Sequence, residues 1–262
     1  SQLAATGLVA LALQQAGWLG HDFLHGRGKW CDANRRTAAA LAGLDHEWWV
    51  RKHSLHHAFT NEETRDGDIH LEPLFFLVPP AESGRGDSIL RRAQHLYGYP
   101  LYAMTYWLWR ARSVAAVVER RDWKEGALLA ANAAWLCSMP PAVAAGAVTL
   151  GGFLVGGIVS ATHQAEPIMV DGEVEQLDFV GAQLRGSRDA VCGNPLERFL
   201  WGGMDTQTIH HLFPTMPRYR YHELRPVVAK WAESHGLEYK QTGSLELIRD
   251  NWELLKRNAL AG

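Results

Sequence analysis

Histidine is the residue type in this chain best placed to do chemistry. His21-Asp22-Phe23-Leu24-His25 sets two imidazoles four residues apart, on one face of a helix. His53-Ser54-Leu55-His56-His57 fills positions i, i+3 and i+4 of a second helical face, and Gln207-Thr208-Ile209-His210-His211 repeats that spacing with Gln207 in the leading place. A single His163 stands in Thr162-His163-Gln164. Neutral imidazole is a good ligand for iron, zinc and copper. Eight such histidines can hold two metals and leave positions for water or oxygen, whereas one structural zinc needs four ligands and favours some thiolate. Two redox-active irons account for the number better. The remaining five of the 13 histidines, His46, His70, His95, His222 and His235, are scattered singly and read as solvated or hydrogen-bonded side chains. His70, just after Asp66-Gly67-Asp68, is the first candidate for an exception.

The elements that position these residues alternate between apolar and polar blocks. Residues 1–20 are apolar from Leu3 to Leu19, broken by Gln14-Gln15, and lack the basic start and cleavage site of a signal peptide. They read as a transmembrane helix that delivers His21 to the membrane surface. Residues 126–162 carry no charge, and at about 1.5 Å per residue they are long enough for two spans, with Pro140-Pro141 at the turn. Residues 96–118 carry Arg110 and Arg112 and suggest a helix lying in the interface. Glu82 to Asp87 reads as a Gly/Arg-containing turn, and 119–125 as a charged connector. Leu224, Val227, Val228 and Trp231 trace an amphipathic helix in the tail. An even number of spans within 126–162 puts blocks 21–95 and 163–262 on one membrane face, and their Arg and Lys content puts that face in the cytosol. The 11 Trp suit a membrane interface. The mean hydropathy of -0.18 averages over this segregation. A net charge of -2 gives no basic balance for nucleic acid, and Cys31, Cys137 and Cys192 form no metal knuckle or disulfide framework. No Met opens the chain, so the expectation is an N-terminally incomplete piece.

The motifs resemble the membrane fatty acid desaturase family, and within it the front-end desaturases. They read GWLGHDFLHG at 17–26, WWVRKHSLHHAFTN at 48–61 with DGDIH at 66–70, and WGGMDTQTIHHLFPTMPRYRY at 201–221. The resemblance runs from Gly17 to about Tyr239. It implies an all-α integral membrane fold of four transmembrane helices, about three of them visible here, capped by a cytosolic helical domain. It further implies two non-haem irons, with His21, His25, His53, His56, His57, His163, His210 and His211 as ligands, Gln207 at or near them, and an acyl chain in a bent tunnel. Relatives in the front-end branch usually carry a haem-binding HPGG motif in an N-terminal cytochrome b5 domain. That motif is absent from this sequence, as is a first span. Gly26-Arg27 stands where many relatives have a further His.

The implied activity is oxygen-dependent desaturation of an acyl chain, as acyl-CoA or phospholipid, toward the carboxyl end. Electrons would come from cytochrome b5 or a similar donor and its reductase, and the setting would be a multi-pass membrane protein of the endoplasmic reticulum. All-nitrogen ligation separates the site from soluble carboxylate-bridged di-iron bundles. Asp22, Asn61, Asp66 and Asp68 are candidates to orient ligand imidazoles, and Arg51 and Lys52 to contact a headgroup. Competing readings are a sphingolipid long-chain-base desaturase, a related membrane hydroxylase, a His-rich metal transporter (which would place ligands within the spans), and an inactive relative or regulatory fragment.

Overall fold

A computed structural model describes residues 1–79, 87–170, 173 and 176–261. Most of the turn expected at Glu82 to Asp87 lies outside them. The described chain is helical. In order run α1 (Gln2–His25), α2 (Lys29–Leu41), α3 (His46–Ala58), α4 (Gln94–Tyr102), α5 (Thr105–Arg120), α6 (Trp123–Cys137) and α7 (Pro141–Gln164). They are followed by α8 (Phe179–Gly186), α9 (Pro195–Trp201), α10 (Gln207–Leu212), α11 (Tyr221–Ser234) and α12 (Ser244–Leu260). Short strands β1 (Asp189–Val191) and β2 (Gln241–Gly243) pair in parallel, Asp189 opposite Gln241.

Two of these helices, α1 and α7, each of 24 residues, are long and apolar enough to cross a membrane. The uncharged run 126–162 breaks at Pro140-Pro141, as expected, but unequally. Asp122 caps α6 by accepting from Glu125 N–H, and α6 ends at Cys137 after 15 residues. That is about 22 Å, short of a hydrocarbon core of about 30 Å. Of the pair, α7 alone has the length of a span.

The chain divides into two compact units, Ser1–Lys52 with Pro100–Gly156, and His53–Tyr99 with Gly157–Gly262. In the first, small residues let helices approach closely. A Cβ on Gly20 would lie 3.1 Å from Ala38 O, and one on Gly152 would lie 2.9 Å from both Ala103 O and Tyr106 N. Tyr106 is fully buried and donates to Leu13 O at 3.0 Å, fastening α5 to α1. At the start of α3, Asp45 Oδ1 accepts from Trp48 N–H at 2.7 Å, Asp45 Oδ2 pairs with Arg120 at 2.6 Å, and Glu125 Oε1 accepts from His46 N–H at 3.0 Å. A hydrophobic cluster of Leu24, Ala42, Leu44 and Trp49 packs around this start.

These contacts make one substitution opposite in sign at two positions. Gly152→Ala is expected to destabilise by about 1–3 kcal/mol, because its Cβ meets backbone atoms that cannot rotate away. Gly7→Ala, whose Cβ meets nothing within 4 Å, is expected to stabilise α1 by up to about 1 kcal/mol. Thermal melting of each purified variant in detergent micelles should show midpoints on opposite sides of the parent.

In the second unit, Ile209, Tyr221 and Val228 form a buried cluster with Leu212, Met216, Leu224 and Tyr239 packed against it. The tail helix forms as expected, but its inward face differs. Tyr221, Val228 and Ala232 are buried, while Val227 is 61% and Trp231 42% exposed. Buried Gln94 stitches the segment before it, accepting from Phe76 N–H at 2.8 Å and donating to Phe76 O and Leu255 O.

Candidate metal centre

The second unit gathers six of the expected histidine ligands. His53, His56 and His57 lie on the last turns of α3, His163 one residue from the end of α7, and His210 and His211 on α10. They fall into two sets. In the first, His57 Nε2 lies 3.1 Å from His53 Nε2 and 2.9 Å from His210 Nε2. In the second, the ligand nitrogens of His56, His163 and His211, all buried, lie within 4.8 Å of one another, with His56 Nε2 3.3 Å from His163 Nε2. The rings of His57 and His211 join the sets, stacked at 4.0 Å with planes 9° apart. In the first unit, His21 and His25 stand on the last turn of α1 with ring centroids 4.8 Å apart, edge to face, and His21 lies 6.2 Å from the Trp49 ring.

Hydrogen-bond partners fix the tautomers of the second set. His56 Nδ1 faces Asp66 Oδ2 at 2.8 Å, and His163 Nδ1 faces Gly186 O at 2.9 Å. Gln183 Nε2 donates to His57 O at 3.1 Å, which turns Gln183 Oε1 toward His211 Nδ1 at 2.8 Å. All three partners are acceptors, and the Thr60 hydroxyl, which donates to His56 O at 2.7 Å, leaves an oxygen lone pair for His211 Nδ1 at 3.0 Å, so each neutral ring carries its proton on Nδ1 and its lone pair on Nε2. The Nε2 atoms of His56 and His163 lie 3.3 Å apart, a spacing that suits two donors to one cation. Imidazole nitrogens bound at about 2.1 Å to one metal at right angles lie about 3 Å apart. His211 Nε2 is buried and has no hydrogen-bond partner among the described residues. Burial, then the neighbouring imidazoles, holds the His211 pKa well below the ordinary histidine range, keeping it a neutral ligand. The donor set therefore fits a metal.

Gln207, expected at or near the metals, lies on the border of this set. Its Nε2 lies 2.8 Å from His163 Nε2, while its Oε1 is buried without a hydrogen-bond partner among the described residues. Rotating the amide would turn the oxygen inward.

The supporting residues divide. Asp66 is fully buried. Burial raises its pKa, but the interaction with the His56 imidazole and the N–H groups of Asp68 and Asn61 outweigh that and hold it below the ordinary range. Asn61, with φ 56°, takes the left-handed conformation that Asn tolerates better than most residues, and its side chain donates to His163 O at 2.8 Å. Asp68 lies 4.0 Å from His56 Nδ1. Asp22 is half-buried on α1, where its carbonyl accepts from Gly26 N–H. Arg51 is exposed and pairs with Glu47 at 3.6 Å, and Lys52 lies over Trp109. His70 is exposed and bonds to Glu63 O, away from both sets. A separate group, Asp45, His46 and Glu125, is an ion network in which Arg120 and Arg36 compensate the carboxylates. Sequence reasoning missed Thr60 and Gln183, both buried among the histidines, and Asp189 and Arg225, which hold α10.

Two sets of clustered imidazoles, one of them buried and backed by acceptors, in a helical chain with two helices of membrane-crossing length, fit the class of histidine-rich metal proteins of membranes. The sequence profile described as "Fatty acid desaturase" matches residues 2–243, and the chain belongs to the fatty acid desaturase family. That family is membrane-associated and its catalysis depends on metal. The chain is 32% identical to the acyl-lipid 8-desaturase of Rebecca salina, over 96% of this chain and 62% of that protein. It is 30% identical to the Delta(6)-fatty-acid desaturase of Caenorhabditis elegans, over 96% of this chain and 63% of the relative. It is also 30% identical to the acyl-lipid (9-3)-desaturase of Physcomitrium patens, over 94% and 52%. The chain thus spans between about half and two thirds of the length of these relatives. No solved structure matches it significantly.

Proposed function

We propose that this chain is the catalytic core of a front-end acyl-lipid desaturase, an oxidoreductase of lipid metabolism. The observation that carries the reading is the convergence of the ring nitrogens of His56, His163 and His211 in a buried site, backed by Asp66, Gly186 and Gln183, in a chain of this family. The reaction takes two hydrogens from adjacent methylenes, with O2, two external electrons and two protons, and gives a cis-configured or trans-configured C=C bond and two waters. Two non-haem irons would be held by His21, His25, His53, His56, His57, His163, His210 and His211, with Gln207 at or near them. The assignment of His21 and His25 rests on the first motif alone. Bound iron would supply the oxidant that removes hydrogen from an unactivated methylene, which no side chain can do.

The chain's own residues do the rest. Asp66 and Gly186 O orient His56 and His163 through their Nδ1 protons. Burial of His56, His57, His163, His210 and His211 excludes water from the site. The electron donor is cytochrome b5 or a similar protein with its reductase, the substrate is an acyl-CoA or phospholipid, and the site faces the cytosol at the endoplasmic reticulum. The named relatives, acting at the 8, Delta(6) and (9-3) positions, favour a double bond placed toward the carboxyl end.

The test is expression of the full-length gene in yeast fed polyunsaturated fatty acids, with profiling of fatty acids and sphingoid bases. A new acyl double bond toward the carboxyl end, absent with His56→Ala, is expected. Hydroxylated lipid or a desaturated long-chain base in its place would overturn the assignment, as would the absence of any product from iron-loaded protein.

A further inference from the structure

One residue outside every histidine motif touches both donor sets. Gln183 is fully buried on α8. Its Nε2 donates to the backbone carbonyl of His57, a member of the first set, and its Oε1 accepts from Nδ1 of His211, a member of the second. The same oxygen lies 2.9 Å from Thr60 Oγ1, whose hydroxyl also lies 2.7 Å from His56 O. The helix that carries Gln183 is itself fixed. Asp178 caps its start by accepting from Gly181 N–H at 2.7 Å, and at its end Gly186 gives its carbonyl to His163 Nδ1. A Cβ on Gly186 would lie 3.1 Å from Thr60 O, a tight contact, so glycine eases the close approach of α8 to the segment after α3.

We propose that Gln183 is a positioning residue for the metal centre, holding the two donor sets in register and setting the donor strength of His211. The inference rests on the metal reading of the site. Its chemical content is the contrast between partners. His56 leans on a carboxylate, Asp66, which strengthens it as a donor. His211 leans on a neutral amide and on the Thr60 hydroxyl, which fix the ring without adding charge. The second set is thereby electronically uneven by construction. Truncating Gln183 leaves His211 Nδ1 only the Thr60 hydroxyl, at 3.0 Å, and loosens its spacing from His57, whereas a carboxylate at 183 keeps the acceptor toward His211, gives up the N–H toward His57 O and adds the charge.

The experiment loads the full-length protein, purified in detergent micelles, with iron, or with cobalt as a spectroscopic probe. Metal per chain, metal affinity and the cobalt absorption spectrum are measured alongside melting of the metal-free form. Gln183→Leu is expected to weaken one of the two metal sites by about 10–100-fold, the usual cost of losing a residue behind a ligand, with melting of the metal-free form little changed. Gln183→Glu is expected to keep both metals but shift the cobalt ligand-field bands, because His211 becomes the stronger donor. Should Gln183→Leu fail to fold, the Gln183→Glu spectrum decides. Wild-type affinity at both sites in Gln183→Leu, or a wild-type spectrum in Gln183→Glu, would reduce Gln183 to a packing residue and overturn the inference. A parent protein that binds no metal at all would instead overturn the reading on which it rests.

Discussion

Alanine at His211 is expected to remove both metal and product, and alanine at His235 neither. His211 is fully buried, its Nε2 has no hydrogen-bond partner among the described residues, and its ring stacks on His57 at 4.0 Å. Without it, the second set keeps only His56 and His163, whose lone pairs face each other at 3.3 Å. Losing a residue behind a ligand costs about 10–100-fold in metal affinity or activity, so loss of the ligand itself should cost at least about 100-fold. His235 is exposed, bonds to the Trp231 carbonyl at 2.8 Å and stacks on the Trp231 ring. Iron per chain by mass spectrometry and the fatty-acid profile of expressing yeast give both readouts. Wild-type product from His211→Ala, or its loss from His235→Ala, would dissolve the division of the histidines into ligands and bystanders.

The clustering behind that division was readable in the sequence because helical spacing places residues i, i+3 and i+4 on one face. His53, His56 and His57 had to share a face, and they do, on α3. The long helices were readable for a similarly simple reason. An uncharged run broken by Pro140-Pro141 can hardly do otherwise than form helices on either side. Their lengths were less readable. A capping residue, Asp122, and a proline pair leave α6 with 15 residues, and a hydropathy window does not weigh caps. The inward face of α11 was misjudged for a related reason. Val227 and Trp231 are apolar and one turn apart, but the partners of that helix, Ile209 and Tyr239, meet it on the Val228 side.

What supports the histidines was the least legible part. Gln183 lies 126 residues from His57 and 28 from His211 in sequence. A buried glutamine has no period and no motif, so nothing local distinguishes it from a surface one. Asp66 was accessible as a candidate because it lies within ten residues of His56. The sequence thus yields the clustered histidines and their near neighbours, while the acceptors brought in by α8 and β1 emerge only from the packing.

The second large effect is expected at one of these unheralded residues. Arg225 on α11 lies 3.3 Å from Asp189 Oδ2 and 3.8 Å from Asp205 Oδ2, and both carboxylates are almost wholly buried. Asp189 in turn holds α10, accepting from Thr208 N–H at 2.8 Å, one residue beyond Gln207, and it also accepts from Tyr239 OH. Burial pushes the Asp189 carboxyl upward, against the pull of Tyr239, Arg225 and Thr208. Arg225→Met removes the cation and leaves two buried acids with one half-exposed neighbour, His222, 3.2 Å from Asp205. Breaking a buried pair from one side typically costs about 3–5 kcal/mol. The sign with pH follows. A carboxyl whose folded pKa is raised above its unfolded value of about 3.9 loses stability as pH rises through the folded value. The variant should therefore melt furthest below the parent at neutral and alkaline pH and recover part of the gap on acidification. Asp189→Asn in the Arg225→Met background keeps an acceptor for Thr208 N–H while removing one charge. It should restore part of the stability, and a double-mutant cycle should show that the two changes do not add. Additive losses, or a gap that widens on acidification, would mean that Arg225 acts through packing rather than charge. If charge carries the effect, the third histidine motif is held in place by an ion pair that touches none of its imidazoles, and Arg225→Met should release metal as a consequence of loosening α10.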